Sequence, residues 1–135
     1  TEKETFAKTF VELRNLLNNA YANYSNFKVS CILYTKDGRK FHGVNVENAS
    51  FGATICAERS AIVNAISNGV KKGDFEKICI MNSSEKIATP CFICRQLIVE
   101  FFDKNSEIIL MDMEGNTKTL TVSEMCPYPF DEEDL

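Results

Sequence analysis

The stretch "TPCFICRQ", residues 89–96, sets two cysteines three positions apart behind a Thr-Pro pair. That spacing suits a metal site, a redox pair or a disulfide, and each predicts something different in the rest of the chain. Thr89 and Pro90 have the chemistry of an N-cap and a first helical residue, so "PCFICRQLIVEFF" is predicted as a buried helix opening at its cysteines. Residues i and i+3 share one side of a helical turn, which lets Cys91 and Cys94 chelate a single ion. A redox pair is expected straight after an early strand, commonly with an aromatic before its first cysteine. Here a proline precedes Cys91 and the motif lies late in the chain.

"TICAERSA", residues 54–61, tips the reading towards metal. Cys56 opens a second predicted helix, "CAERSAIVNAISN", with Glu58 two residues on and Gly69 as its C-cap. Two helix N-termini would then present thiolates, the form that binds zinc and that the positive helix ends favour. Three thiolates leave a divalent ion with net negative charge, which Arg59 and Arg95 beside them would offset. Structural zinc has four protein ligands, whereas catalytic zinc keeps a position for water, so three clustered cysteines fit the open kind. A fourth ligand from His42, Cys31, Cys79 or Cys126 would make a closed structural module instead. Cys31 and Cys79 lie in apolar strand runs and read as core residues, His42 decorates a strand, and Cys126 sits in a loop without a partner motif. Glu58 could act as general base and then general acid near such an ion, or simply stabilise a helix dipole from the surface. Spacing alone does not choose, because residues two apart on a helix point to different sides.

The rest of the chain reads as a frame for this site. Phe6, Phe10, Leu13, Leu16 and Leu17 recur at spacings of three and four and predict an amphipathic helix to about Asn18. "FKVSCILYTKDGRKFHGVNVEN" is two strands around an Asp-Gly hairpin signal; "KICIMN" is an apolar strand, and "EIILMD" and "TKTLTV" flank "MEGN" as two more. "SEM" starts a short last helix. The order predicts one layered α/β domain over residues 1–135 with five strands.

With 135 residues the chain is long enough for one core and for one active unit. Its 44% hydrophobic and 25% charged residues are those of a soluble globular protein. No apolar run approaches the roughly 20 residues of a membrane span, and "TEKETFAKTF" lacks the apolar centre of a secretory signal. A cytoplasmic protein is expected, and its six cysteines are then better suited to metal or catalysis than to disulfides. A net charge of −4 and a pI near 5.1 give no electrostatic footprint for nucleic acid.

At this point the sequence resembles the zinc-dependent cytidine deaminases, and it does so over nearly the whole chain. Cys-Ala-Glu at 56–58 followed by Pro-Cys-x-x-Cys at 90–94 is the wider deaminase pattern, and "YANYSNFKV", "GVNVENAS" and "PCFICRQ" are similar to segments of the cytidine branch. The resemblance implies a three-layer fold with a mixed five-stranded sheet flanked by helices. It implies one zinc per chain on Cys56, Cys91 and Cys94, with Glu58 shuttling protons and Arg59 beside the ligands. It also implies hydrolysis of cytidine and 2′-deoxycytidine to the uridines and ammonia, in pyrimidine salvage. Asn45 and Glu47 correspond to residues that hold the ribose 3′-hydroxyl, Phe27 to the aromatic that packs on the pyrimidine, and Ala57 to a substrate-binding position. Three cysteines rather than a histidine ligand resemble the homotetrameric branch, in which Phe130 would match a C-terminal phenylalanine that reaches a neighbouring subunit's pocket.

The chain departs from the family at Asn23 for a proline, Ser30 and Cys31 for Gly-Ala, Phe51 for a tyrosine and Phe92 for a glycine. Phe92 is expected to reshape the pocket roof, and Asn23 to loosen the loop before Phe27. Two rivals follow. One is another substrate on the same fold, such as blasticidin S or a base in RNA; the other is a structural zinc module that binds protein.

Overall fold

A computed structural model describes residues 2–135. The elements, in order, are α1 (Glu2–Leu16), β1 (Val29–Thr35), β2 (Lys40–Val44), α2 (Ala57–Ser67), β3 (Phe75–Asn82), α3 (Phe92–Phe101), β4 (Phe102–Met111), β5 (Thr117–Thr121) and α4 (Val122–Met125). Short 3₁₀ turns cover Leu17–Asn19, Phe51–Ala53 and Glu132–Asp134. The strands form one mixed sheet in the order β2-β1-β3-β4-β5, in which only β3 and β4 pair in parallel.

Alternation along the central strands divides the core into two layers. Cys31, Leu33, Ile78, Ile80, Ile108 and Leu110 face α2 and α3, where Ala61, Ile62, Ala65 and Ile98 meet them. Ile32, Cys79, Met81 and Met111 point to the other face and are covered by Leu13 and Leu17, from α1 and the turn after it. Each large apolar side chain so buried contributes about 1.5–3 kcal/mol. Helices on both faces explain why β1 and β3 are largely buried while the edge strands β2 and β5 are more exposed. The turns at Gly38 (φ +88°) and Gly115 (φ +94°) need left-handed backbone, which the Asp-Gly and Glu-Gly pairs supply.

The sheet order also places the site. β2 and β3 are both antiparallel to β1, so they run the same way, and each leads into a helix on one face of the sheet. The N-termini of α2 and α3 therefore meet at a single sheet edge, beyond the carboxyl ends of their strands, where open α/β sheets hold ligands. Close contact of α2 with β2 depends on Gly43, because a Cβ there would lie 2.4 Å from both the Ala57 carbonyl oxygen and the Ala61 nitrogen.

The boundaries that differ most from the sequence reading lie at the two ends of α3. α3 starts at Phe92, with Cys91 as its N-cap, instead of at Pro90 behind a Thr89 cap. Thr89 Oγ1 accepts from Arg95 Nη2 at 2.9 Å and caps no helix. α3 also passes into β4 at Phe101/Phe102 with no loop between them. No helix among the described residues is long and apolar enough to cross a membrane.

Candidate active site

Cys56, Cys91 and Cys94 come together as the sequence predicts, with their sulfurs all within 4.8 Å of one another. The Cys56 and Cys91 sulfurs are 3.8 Å apart, and those of Cys91 and Cys94 are 3.4 Å apart. Cys56 and Cys91 occupy the N-cap positions of α2 and α3 in extended backbone, and neither side chain caps its helix. Cysteine is a poor substitute for the Ser, Thr, Asp or Asn usual there, so the first-turn N–H groups stay available to a sulfur or another anion. Paired backbone hydrogen bonds of 2.9 Å between Val46 and Ile55 hold the approach to Cys56 against the strand-like segment 45–47.

The electrostatics favour thiolate at one member of the trio. Cys56 is pulled down to about 5 by a hydrogen bond from Cys94, then by Arg59 and by Cys91. Cys94 is held well above its ordinary range by that same partnership with Cys56 and by burial, so negative charge settles first on Cys56. Arg59 Nη2 donates to the Thr54 carbonyl at 2.9 Å and lies 3.9 Å from the Cys56 sulfur. Its Nε is buried without a partner, the one such side-chain nitrogen or oxygen among the described residues. Three soft donors, two helix N-termini and an arginine with donor capacity to spare fit a divalent zinc ion.

Glu58 lies in the first turn of α2, 4% exposed, and lines the same cavity as Cys56 and Cys91. Burial raises its carboxyl above the ordinary value, against the lowering effect of a hydrogen bond from Cys94. The two-residue spacing from Cys56 is no obstacle, because Cys56 precedes the helix in extended backbone and does not follow helical geometry.

The cavity measures about 280 Å³ and is walled mainly by Phe27, Val29, Ile80, Ala57, Ala88 and Pro90, with Asn45, Glu47 and Asn82 among its polar groups beside Glu58 and the thiols. All four residues proposed from sequence to line a nucleoside pocket within one chain, Phe27, Asn45, Glu47 and Ala57, are therefore gathered here. Asn45 is buried, and its carboxamide donates to the Phe27 carbonyl at 2.8 Å and accepts from the Val29 N–H at 2.9 Å. Glu47 is tied to Tyr24 and Ser25, and the hydrogen bond from Ser25 leads the interactions that hold its carboxyl below the ordinary value. Phe130 lies elsewhere, beside a larger cavity of about 570 Å³ formed with the 122–134 segment. Its carbonyl accepts from Gln96 at 2.7 Å.

The remaining candidates separate as their environments require. Cys31 and Cys79 are buried in opposite layers of the core; burial pushes the Cys79 thiol up to about 11 and raises Cys31 well above its usual 9.0. His42 pairs with Glu12 at 3.1 Å on an edge strand, and Cys126 lines the larger cavity. Phe92 does not form a pocket roof: it is 77% exposed, lies outside the cavity, and stacks 4.4 Å from the Arg95 guanidinium. Asn82 and Thr54 line the cavity without having been singled out from sequence. Asn82 ends an apolar strand at the edge where ligands collect, which is the signal that could have marked it.

Comparison with known proteins agrees with this geometry. The family model described as the cytidine and deoxycytidylate deaminase zinc-binding region matches residues 3–110. A cytidine deaminase of Sporosarcina psychrophila is 35% identical over 128 residues, covering 95% of this chain and 93% of that protein. A probable cytidine deaminase of Dictyostelium discoideum is 37% identical over 134 residues, covering 98% and 88% respectively. The crystal structure of cytidine deaminase from Burkholderia pseudomallei superposes with a TM-score of 0.84 at 38% identity, over 87% of this chain and 93% of that one.

Proposed function

The chain belongs to the cytidine and deoxycytidylate deaminase family, it is a zinc-dependent hydrolase that deaminates cytidine, and we propose that it accepts 2′-deoxycytidine as well, releasing ammonia and leaving the uridines. The observation that carries the reading is the meeting of three thiols and one buried carboxyl, Glu58, at a single cavity. Pyrimidine salvage is the role that this reaction serves.

Cys56, Cys91 and Cys94 hold the ion. Zinc supplies Lewis acidity, which makes a water acidic near neutral pH. Glu58 takes one proton of the attacking water and delivers it to N3 of the pyrimidine, then takes the second from the hydroxyl now on C4 and delivers it to the amino group, which leaves as ammonia. A carboxyl raised by burial suits a group that must both accept and release a proton. Arg59 offsets the charge of the thiolates and steadies Cys56. Phe27 packs on the base, Ala57 borders it beside Glu58, and Asn45 with Glu47 holds the ribose 3′-hydroxyl. A contact at that hydroxyl serves ribose and deoxyribose alike.

Residues 1–135 act as one deaminase domain in the cytoplasm, assembled as a homotetramer in which Phe130 reaches a neighbour's cavity. Exposed Phe51, Phe92, Ile93 and Phe130, between 57% and 77% accessible, support burial between copies. The protein-binding zinc module is disfavoured by the donor set, since among the described residues the cluster holds three thiols and the other cysteines and His42 lie elsewhere.

The test is ammonia release from cytidine by the purified protein with and without a strong zinc chelator. Chelator-sensitive release is expected. A chain carrying one zinc that releases no ammonia would overturn the reading.

A further inference from the structure

The polar wall of the cavity has most of its hydrogen-bonding capacity committed to one loop, and what is left over has a definite chemistry. The Asn45 carboxamide oxygen accepts from the Val29 N–H and its nitrogen donates to the Phe27 carbonyl, so one N–H remains. Glu47 Oε1 accepts from the Tyr24 and Ser25 N–H groups at 3.0 Å each, and Oε2 accepts from the Ser25 hydroxyl, so an acceptor site on Oε2 remains. One N–H beside one carboxylate lone pair is the complement of a single hydroxyl group.

Ser25 governs where that lone pair points. Its Oγ accepts from the Phe27 N–H at 3.0 Å, which turns the hydroxyl hydrogen towards Glu47. The intervening Asn26 adopts φ +60°, the left-handed turn that brings the Ser25 oxygen back to the N–H two residues on. Ser25 itself does not line the cavity. Without its hydroxyl Glu47 would stay tethered through Oε1 alone, free to swing about that anchor.

We propose that Ser25 is a positioning residue for sugar recognition, acting through Glu47: its hydroxyl fixes the carboxylate so that one oxygen faces one sugar hydroxyl. The proposal rests on the ribose reading given above for Asn45 and Glu47.

The test compares cytidine with 3′-deoxycytidine in the wild type, Ser25→Ala and Ser25→Thr, each as the zinc-loaded full chain. For Ser25→Ala the KM for cytidine is expected to rise about 10-fold with kcat within about twofold, while the KM for 3′-deoxycytidine moves by less than about twofold. Ser25→Thr, which restores a hydroxyl, should return the cytidine KM to within about threefold of the wild type. An equal rise for both nucleosides, or no rise for either, would overturn the assignment and leave the deaminase reading intact. A wild type that deaminates both nucleosides with the same KM would overturn the ribose reading together with it.

Discussion

The two cavities differ in a way that volume does not convey. The larger, about 570 Å³, is lined by charged side chains of which Lys72 already has its partners, Glu100 at 3.1 Å and Glu132 at 3.4 Å. The smaller, about 280 Å³, holds the groups left with unspent capacity: the thiols of Cys56 and Cys91, the buried Glu58 carboxyl and, beside them, the unpartnered Arg59 Nε. A group whose charge or donor is fully engaged contributes to the fold, whereas groups with capacity left at a helix N-terminus are arranged for something that must arrive.

Removing a ligand should break the contrast most completely. Cys91→Ser is expected to lower bound zinc well below one per chain after dialysis and to cut turnover by about 10³-fold or more, measured by metal analysis and ammonia release. A smaller effect is expected at the arginine that balances the thiolates. Arg59→Gln should weaken zinc affinity by about 10–100-fold in a competition titration with a chromophoric chelator, with the fold intact by circular dichroism. The least effect belongs to the larger cavity. Lys72→Ala breaks two exposed ion pairs, and it should leave kcat/KM within about twofold and the melting temperature within about 2 °C. A large loss of activity there would erase the distinction between the cavities.

Much of this arrangement was legible in the sequence because local chemistry and tertiary structure agree. The Asp37-Gly38 and Glu114-Gly115 pairs mark hairpins that form where expected, and Cys31 and Cys79 in apolar runs are core residues. The Cys-Ala-Glu and Pro-Cys-x-x-Cys segments, each legible as a helix start, meet because β2 and β3 run in one direction. Other features were hidden where tertiary contacts outweigh local preference. Thr89-Pro90 has the composition of a helix start, but the Arg95 side chain claims both the Thr89 hydroxyl and, at 2.8 Å, the Pro90 carbonyl. The run "IVEFF" gives no sign that helix becomes strand between its two phenylalanines, because either state packs them on the core, Phe102 buried and Phe101 half-buried. Phe92 sits between two ligands and so reads as part of the pocket, yet its ring packs on the Arg95 guanidinium, outside the cavity. Spacing likewise gave no hint that Ser25 reaches across to Glu47.

In the proposed mechanism Glu58 performs chemistry at a metal that three other side chains hold, and Glu58→Gln separates the two roles. Zinc content and cytidine turnover would be measured on the same preparation. Zinc is expected to stay near one per chain while kcat falls by about 10²–10⁴-fold, the contribution of a positioned acid and base. A Gln variant that keeps wild-type turnover with its zinc in place would contradict the account.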